Sequence, residues 1–173
     1  MAVMPNIGPI PNIAKAGPQP QWSATTGVSQ MGGHAVLLRP EQVGIGTRES
    51  ARDVARNLSR WVDGLMARTF SHELLLELAA ESDIPVINGL TDRLHPCQAM
   101  ADLQTISERA DPREAVVAYV GDGNNMANSL ALLAAVLGMT LRFATPKTHR
   151  LNAEVMARAE NLARGSGATI SWS

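Results

Sequence analysis

From Ala115 to the last residue the chain reads as three apolar, β-branched runs, "AVVAYVG", "TLRFATP" and "ATISWS". They are separated by two helix-length segments, "NMANSLALLAAVLGM" and "NAEVMARAENLARG". This alternation constrains the fold more than any other feature. Short apolar runs spaced by helical patterns bury both elements only as parallel strands with right-handed helical crossovers. The second helical segment is amphipathic and is stopped by Gly165, whereas the first is apolar nearly all round, as a helix packed on a sheet should be.

The first half carries the same signals less densely. A helix is expected around "WSATTGVSQ", then a Gly-Gly turn and a strand at Ala35–Leu38. "SARD" (50–53) reads as a capping box, with Ser50 accepting from the Asp53 amide while Asp53 reaches back. Val54, Leu58, Trp61, Val62 and Leu65 follow at helical spacing, leaving Arg56, Asn57 and Ser59 outward. A strand around Gly64–Arg68, a helix at His72–Ser82 and a buried strand in "IPVINGL" (84–90) come next. A helix opened by Pro96 runs to about Arg109, and Asp111-Pro112 breaks the chain. The predicted class is α/β: two Rossmann-like parallel-sheet units joined by a helix, the second incomplete. Residues 1–22 hold half of the ten prolines and read as a disordered arm. Residues 23–109, with the linking helix, form the first unit, and residues 114–173 form the second.

Composition narrows the function classes. Fifteen basic against 16 acidic side chains leave a net charge of −1, which gives no reason to expect nucleic acid or an anionic membrane as partner. Any anion site must therefore be local. No apolar run approaches the roughly 18 residues that span a bilayer. Residues 1–30 carry one charge, Lys15, and no secretory pattern, so a cytoplasmic protein is expected. Cys97 is the only cysteine, which suits a reducing compartment.

Chemistry concentrates in "DRLHPCQAMADLQTI" (92–106). Pro96 suits the first helical position, which places His95 at the cap, with Gln98 and Asp102 on the same face. The helix dipole and first-turn amides point the same way, a corner that stabilises an anion or a carbonyl oxygen gaining charge. The same His-Pro pair also serves as a plain helix cap, and Cys97 as a small buried hydrophobe. No zinc ligand set emerges from His34, His72, His95 and His149. "YVGDGNNMANSL" (119–130) follows a strand and opens a helix, where α/β sheets place ligands. It has Gly121 and Gly123 but Met126 where a dinucleotide fingerprint needs its third glycine, and no acidic residue follows about 20 positions on. Asn124 and Asn125 also read simply as caps. Ser129 has no partner base in the sequence.

Taken together, "DVARNLSRWVDGLMARTFSH", "VINGLTDRLHPCQAMADLQTI" and "VGDGNNMANSLALLAAVLGM" resemble the ornithine carbamoyltransferase family in order and separation, over about residues 31–173. "GDGNN" favours the ornithine branch over the aspartate branch. The resemblance implies two doubly wound α/β domains and transfer of a carbamoyl group from carbamoyl phosphate to the δ-amine of L-ornithine, with no metal or organic cofactor. It implies a homotrimer, or association with a homologous subunit, in arginine metabolism. By motif, Arg68, His95 and Gln98 are the catalytic residues and share carbamoyl phosphate, Asn125 holds ornithine, and "GIGTRES" (44–50) reaches toward a neighbouring subunit. Gln42 or Gly44 falls where the family often has a ligand glutamine. The family's Ser-Thr-Arg-Thr-Arg phosphate clamp has no counterpart in "QPQWSATTGVSQMGGHA", and its aspartate–Ser-Met-Gly and His-Cys-Leu-Pro segments do not occur. The resemblance thus implies a chain inactive by itself, with a flank of its second unit uncovered.

Overall fold

The computed structural model describes residues 2–3 and 20–173, so most of the expected proline-rich arm lies outside the described residues. The chain divides into two compact units, Met1–Thr91 and Asp92–Ser173.

The first unit runs β1 (Ala2–Val3), α1 (Pro20–Gln30), β2 (Val36–Leu37), α2 (Pro40–Val43), α3 (Ala51–Leu58), β3 (Leu65–Arg68), α4 (His72–Glu81) and β4 (Val86–Leu90). Its sheet order is β2-β1-β3-β4. Strands β3 and β4 are parallel, as the alternation predicts, but β1 lies antiparallel to both its neighbours. Two residues inside a proline-rich leader give no periodicity to read, so β1 has no signature in the sequence. Helix α1 begins at Pro20, inside the segment expected to be a disordered arm. The core gathers Ala51 and Ala55 of α3, Leu65 and Ala67 of β3, and Leu75 and Leu78 of α4.

Helix α3 shows how its cap works. The Asp53 amide donates to Ser50 Oγ (3.1 Å) as expected, but the Asp53 carboxylate accepts the Ser50 hydroxyl (2.7 Å). The helix ends at Leu58, one turn earlier than the spacing predicts. Trp61 is consequently no core residue: it is 75% exposed, and its indole N–H donates to Asn57 Oδ1 (3.1 Å). Ser59, read as outward, is half-buried; its hydroxyl donates to Ala55 O (2.8 Å) and accepts the Asp83 amide (3.1 Å).

The second unit runs α5 (Pro96–Ser107), β5 (Val116–Val120), α6 (Asn125–Leu137), β6 (Thr140–Ala144), α7 (Ala153–Ser166) and β7 (Thr169–Trp172). The three strands are parallel in the order β5-β6-β7. Tyr119, Phe143 and Trp172 fall in one register row, as do Val117, Leu141 and Ile170. These six side chains share one face and pack on the core with Ala127, Ala131, Ala134 and Ala135 of α6 and Ala159 of α7. Small residues at i, i+4 and i+7/8 form a stripe that lets helices pack closely on one another and on the strands. A β5-β6-β7 order with right-handed crossovers sends both connecting helices to the same side. Among the described residues the other face is uncovered at its ends: Val116 is 58% and Val120 81% exposed. Helix α5 packs with this unit, Leu103 and Ile106 joining its core.

Asn124 caps α6 by accepting from the amides of Met126 (2.9 Å) and Ala127 (3.2 Å). Gly123 has a steric reason to be glycine. A Cβ there would lie 2.3 Å from the carbonyl carbon of Arg150 and 2.3 Å from the nitrogen of Leu151. Its amide donates to His149 O (2.7 Å), drawing the 146–151 segment against the turn. Gly123→Ala is expected to cost at least about 1–3 kcal/mol, as overpacking against immobile backbone does. A denaturant midpoint unchanged from wild type would contradict this.

Candidate functional site

In the first unit, Arg68 ends β3 and its side chain is exposed. Beside it lies a cleft of about 250 Å3 lined by Leu38, Val43, Ile45, Arg68, Thr69 and Leu74, among others. Such a cleft at the carboxyl end of a strand is where open α/β sheets take ligands. Side-chain contacts order the segments that supply its lining residues. His72 Nδ1 meets Thr91 Oγ1 at 3.0 Å, tying the start of α4 to the fully buried Thr91 just past β4. Arg48 donates to the carbonyls of Gln42 (2.6 Å) and Val43 (3.3 Å), closing the 42–49 turn. Gln42 uses its carboxamide oxygen to accept the Arg39 amide (2.8 Å), and Gly44 sits at φ +65°. Neither is among the residues that line the cleft. Helix α1 carries no charged residue.

In the second unit, His95 is the N-cap of α5 with Pro96 at the first helical position. The imidazole makes no capping bond to the helix. The plain-cap reading therefore does not account for the side chain, and His95 stands at the positive end of a 12-residue helix. Gln98 is exposed on the next turn, and its amide donates to Asp102 Oδ1 (3.0 Å). Asp102 so orients the carboxamide.

The peptide leading to His95 is fastened by residues whose role the sequence does not advertise. Arg93 pairs with Glu154 at the start of α7. Asn128, 4% exposed, donates to Arg93 O (3.0 Å) and accepts the Asn152 amide (3.2 Å). Ser129, 5% exposed, accepts the His95 amide (2.7 Å) and donates to Asn125 O (2.8 Å). These partners lie far apart in sequence. The only local hint is two consecutive polar residues within an apolar helix, which must find partners when buried. Asn125, the first residue of α6, follows the G-D-G turn and is part of the same cluster.

The residues singled out in the sequence thus stand at element ends: Arg68 in the first unit, and His95, Gln98 and Asn125 in the second. Each unit presents polar groups suited to an oxyanion or phosphate oxygen rather than a nucleophile–base pair. Burial pushes the Cys97 thiol up from its ordinary value, with the helix N-terminal backbone acting in the opposite sense. Alkylation by iodoacetamide at neutral pH is expected to be slower than for an exposed peptide cysteine; equal or faster alkylation would mark an activated thiolate. Among the described residues, no group of three His, Cys, Asp or Glu is placed to hold a metal ion. No helix among them is long and apolar enough to cross a membrane.

Comparison with known proteins adds a family. The model described as aspartate/ornithine carbamoyltransferase, carbamoyl-P binding domain, matches residues 20–108, and the one described as its Asp/Orn binding domain matches residues 113–173. The two matches part at the end of α5, whereas compactness parts the chain ahead of it, because α5 packs on α6. An ornithine carbamoyltransferase of Listeria monocytogenes serotype 4a is 48% identical over 149 residues, covering 86% of this chain and 47% of the relative. One from Bacillus anthracis is 47% identical over the same shares. Among solved structures, ornithine carbamoyltransferase from Pyrococcus furiosus aligns with a TM-score of 0.84 at 40% identity, covering 88% of this chain and 49% of that one. The anabolic enzyme from Campylobacter jejuni aligns with a TM-score of 0.84 at 36% identity, covering 92% and 53%. The chain spans about half the length of the curated relatives it matches.

Proposed function

This chain belongs to the aspartate/ornithine carbamoyltransferase family, and we propose that it serves the ornithine reaction, transfer of a carbamoyl group from carbamoyl phosphate to the δ-amine of L-ornithine. The observation that carries the reading is the corner at the start of α5. An imidazole with no capping duty and a carboxamide held by Asp102 stand at a helix N-terminus, fastened to the turn that bears Asn125. The proposed setting is arginine metabolism in the cytoplasm, with carbamoyl phosphate and L-ornithine as substrates and a homotrimer as the assembly.

The chemistry assigns each residue a task. The lone pair of the neutral δ-amine attacks the carbonyl carbon of carbamoyl phosphate, forming the C–N bond and placing negative charge on the carbonyl oxygen. His95 donates to that oxygen, with the helix dipole adding positive potential. Gln98 orients the carbamoyl group, and Arg68 neutralises phosphate oxygens. Collapse breaks the bond to the phosphate oxygen, which leaves with the electron pair. The proton lost from the ammonium ends on the departing phosphate, giving citrulline and hydrogen phosphate. Asn125 holds the amino-acid portion of ornithine. No step calls for a metal or organic cofactor.

A chimera tests this directly: residues 31–173 placed in the matching stretch of the Listeria relative, which then supplies its own flanking segments. The chimera is expected to form citrulline. The 173-residue chain alone is expected to form none, because α1 offers no cation to phosphate. A folded chimera that makes no citrulline would remove the proposal.

The open face of β5-β6-β7, with Val116 and Val120 exposed, favours a second reading, in which the chain is a non-catalytic subunit or fragment that assembles with a complete carbamoyltransferase. Exposed apolar surface on a parallel sheet calls for cover. Co-expression with a full-length homologue should then give mixed oligomers by sedimentation; a monodisperse monomer that melts in two states would exclude it.

A further inference from the structure

We propose that Ser129 is a positioning residue for His95, acting as a hydroxyl latch between the tip of α5 and the turn that bears Asn125. The roles of His95 and Asn125 rest on the carbamoyl-transfer reading; the latch itself rests on geometry.

A serine within a helix commonly returns its hydroxyl to the carbonyl one turn back, as Ser129 does with Asn125 O at 2.8 Å. That bond uses the proton and leaves the oxygen lone pairs. Here one of them receives the backbone N–H of His95 at 2.7 Å, at the short end of the N–H···O range. The hydroxyl is thereby fixed in direction, donating to one motif and accepting from the other. It is 5% exposed, so water does not offer an easy substitute. In a low-dielectric setting, consecutive hydrogen bonds of this kind polarise one another.

Its neighbour makes the arrangement a clamp. Asn128 holds Arg93 O at 3.0 Å, two residues before His95, so α6 grips the 93–95 peptide at two successive points. The backbone torsions of His95 (φ −135°, ψ 69°) are neither helical nor fully extended. With the 93–95 peptide held at both points, the backbone fixes the direction in which the imidazole leaves the chain. The clamped peptide belongs to the stretch matched as the carbamoyl-P binding domain, and Asn128 and Ser129 belong to the stretch matched as the Asp/Orn binding domain. The half of the family pattern that receives the amino acid therefore sets the donor that acts on the carbamoyl group. The Ser129 hydroxyl is the direct link between Asn125 O and the His95 amide.

The test uses the full 173-residue chain and no substrate. In Ser129→Ala, the His95 amide is expected to exchange with solvent about tenfold faster, the loss of one net hydrogen bond, while β5 and β6 amides keep their protection. The pH titration of the His95 imidazole, followed by its ring proton resonances, is expected to shift in the same variant. Ser129→Thr, which keeps the hydroxyl, should restore both. A purely structural serine would lower the unfolding midpoint and leave the imidazole titration where it was. Should Ser129→Ala fail to fold, Ser129→Cys keeps the volume with a weaker acceptor and is expected to show both changes at reduced size. Wild-type exchange and titration of His95 in the folded alanine or cysteine variant would overturn the latch, as would a threonine variant that rescues neither. Because neither readout involves carbamoyl phosphate or ornithine, such a failure is distinct from a chimera that makes no citrulline.

Discussion

Replacing His95 with alanine in the citrulline-forming chimera is expected to lower kcat about 10²–10³-fold, the usual effect of removing one donor to a developing oxyanion. The size follows from where the donor acts. In the ground state the carbonyl oxygen of carbamoyl phosphate is nearly neutral, and a hydrogen bond to it contributes little. As the amine attacks, that oxygen takes up a full charge, and a bond already in place strengthens without reorganising. The loss should therefore fall on kcat and kcat/KM together, with KM little changed. Circular dichroism should match the unsubstituted chimera, because the imidazole makes no capping bond to α5. A KM effect alone would recast His95 as a ground-state binding residue.

The second large effect concerns stability. Phe143 is 1% exposed on the central strand β6, stacked on Trp172 with ring centroids 4.6 Å apart and tilted against Tyr119 at 5.6 Å. Its row neighbours come from both flanking strands, whose pairing with β6 holds them in register, so the cavity left by Phe143→Ala is not easily filled. A cost of about 3–5 kcal/mol is expected. Set against a total stability of about 5–15 kcal/mol for a natural domain, this should leave the second unit near its unfolding midpoint. Urea melting followed by circular dichroism provides the check, with Val116→Ala as control: that side chain is 58% exposed and should cost little. Equal losses in the two variants would mean that the aromatic row is not the core.

What could be read from the sequence followed the range over which each signal acts. The β5-α6-β6-α7-β7 order was legible because alternation of short apolar runs and helical spacing is a local pattern with one topological solution. The caps at Ser50 and Asn124 were legible because they act over three residues. Trp61 misled because its spacing fits a helix that, in the structure, has already ended at Leu58. Strand β1 could not be anticipated, since two residues carry no period. The same limit hid the work of Asn128, Ser129 and His72, whose partners lie 35, 34 and 19 positions away. Gly123 belongs to an incomplete dinucleotide fingerprint in the sequence, and the backbone of Arg150 and Leu151 supplies the steric reason for a glycine there. His95 and Gln98 are legible from the proline-led helix start, whereas Arg68 and the ornithine role of Asn125 come from motif order alone, because strand ends and helix ends look alike until a ligand chemistry is named.

We propose that Arg68, His95 and Gln98 each contact carbamoyl phosphate, and one measurement tests this most directly. The measurement is a titration of the isotope-labelled 173-residue chain with carbamoyl phosphate, following the Arg68 guanidinium, the His95 ring and the Gln98 carboxamide by NMR. All three are predicted to move saturably, and Arg68→Ala is predicted to weaken the response at His95 and Gln98. Three silent side chains at millimolar ligand, or shifts confined to the Gly121–Asn125 turn, would contradict it.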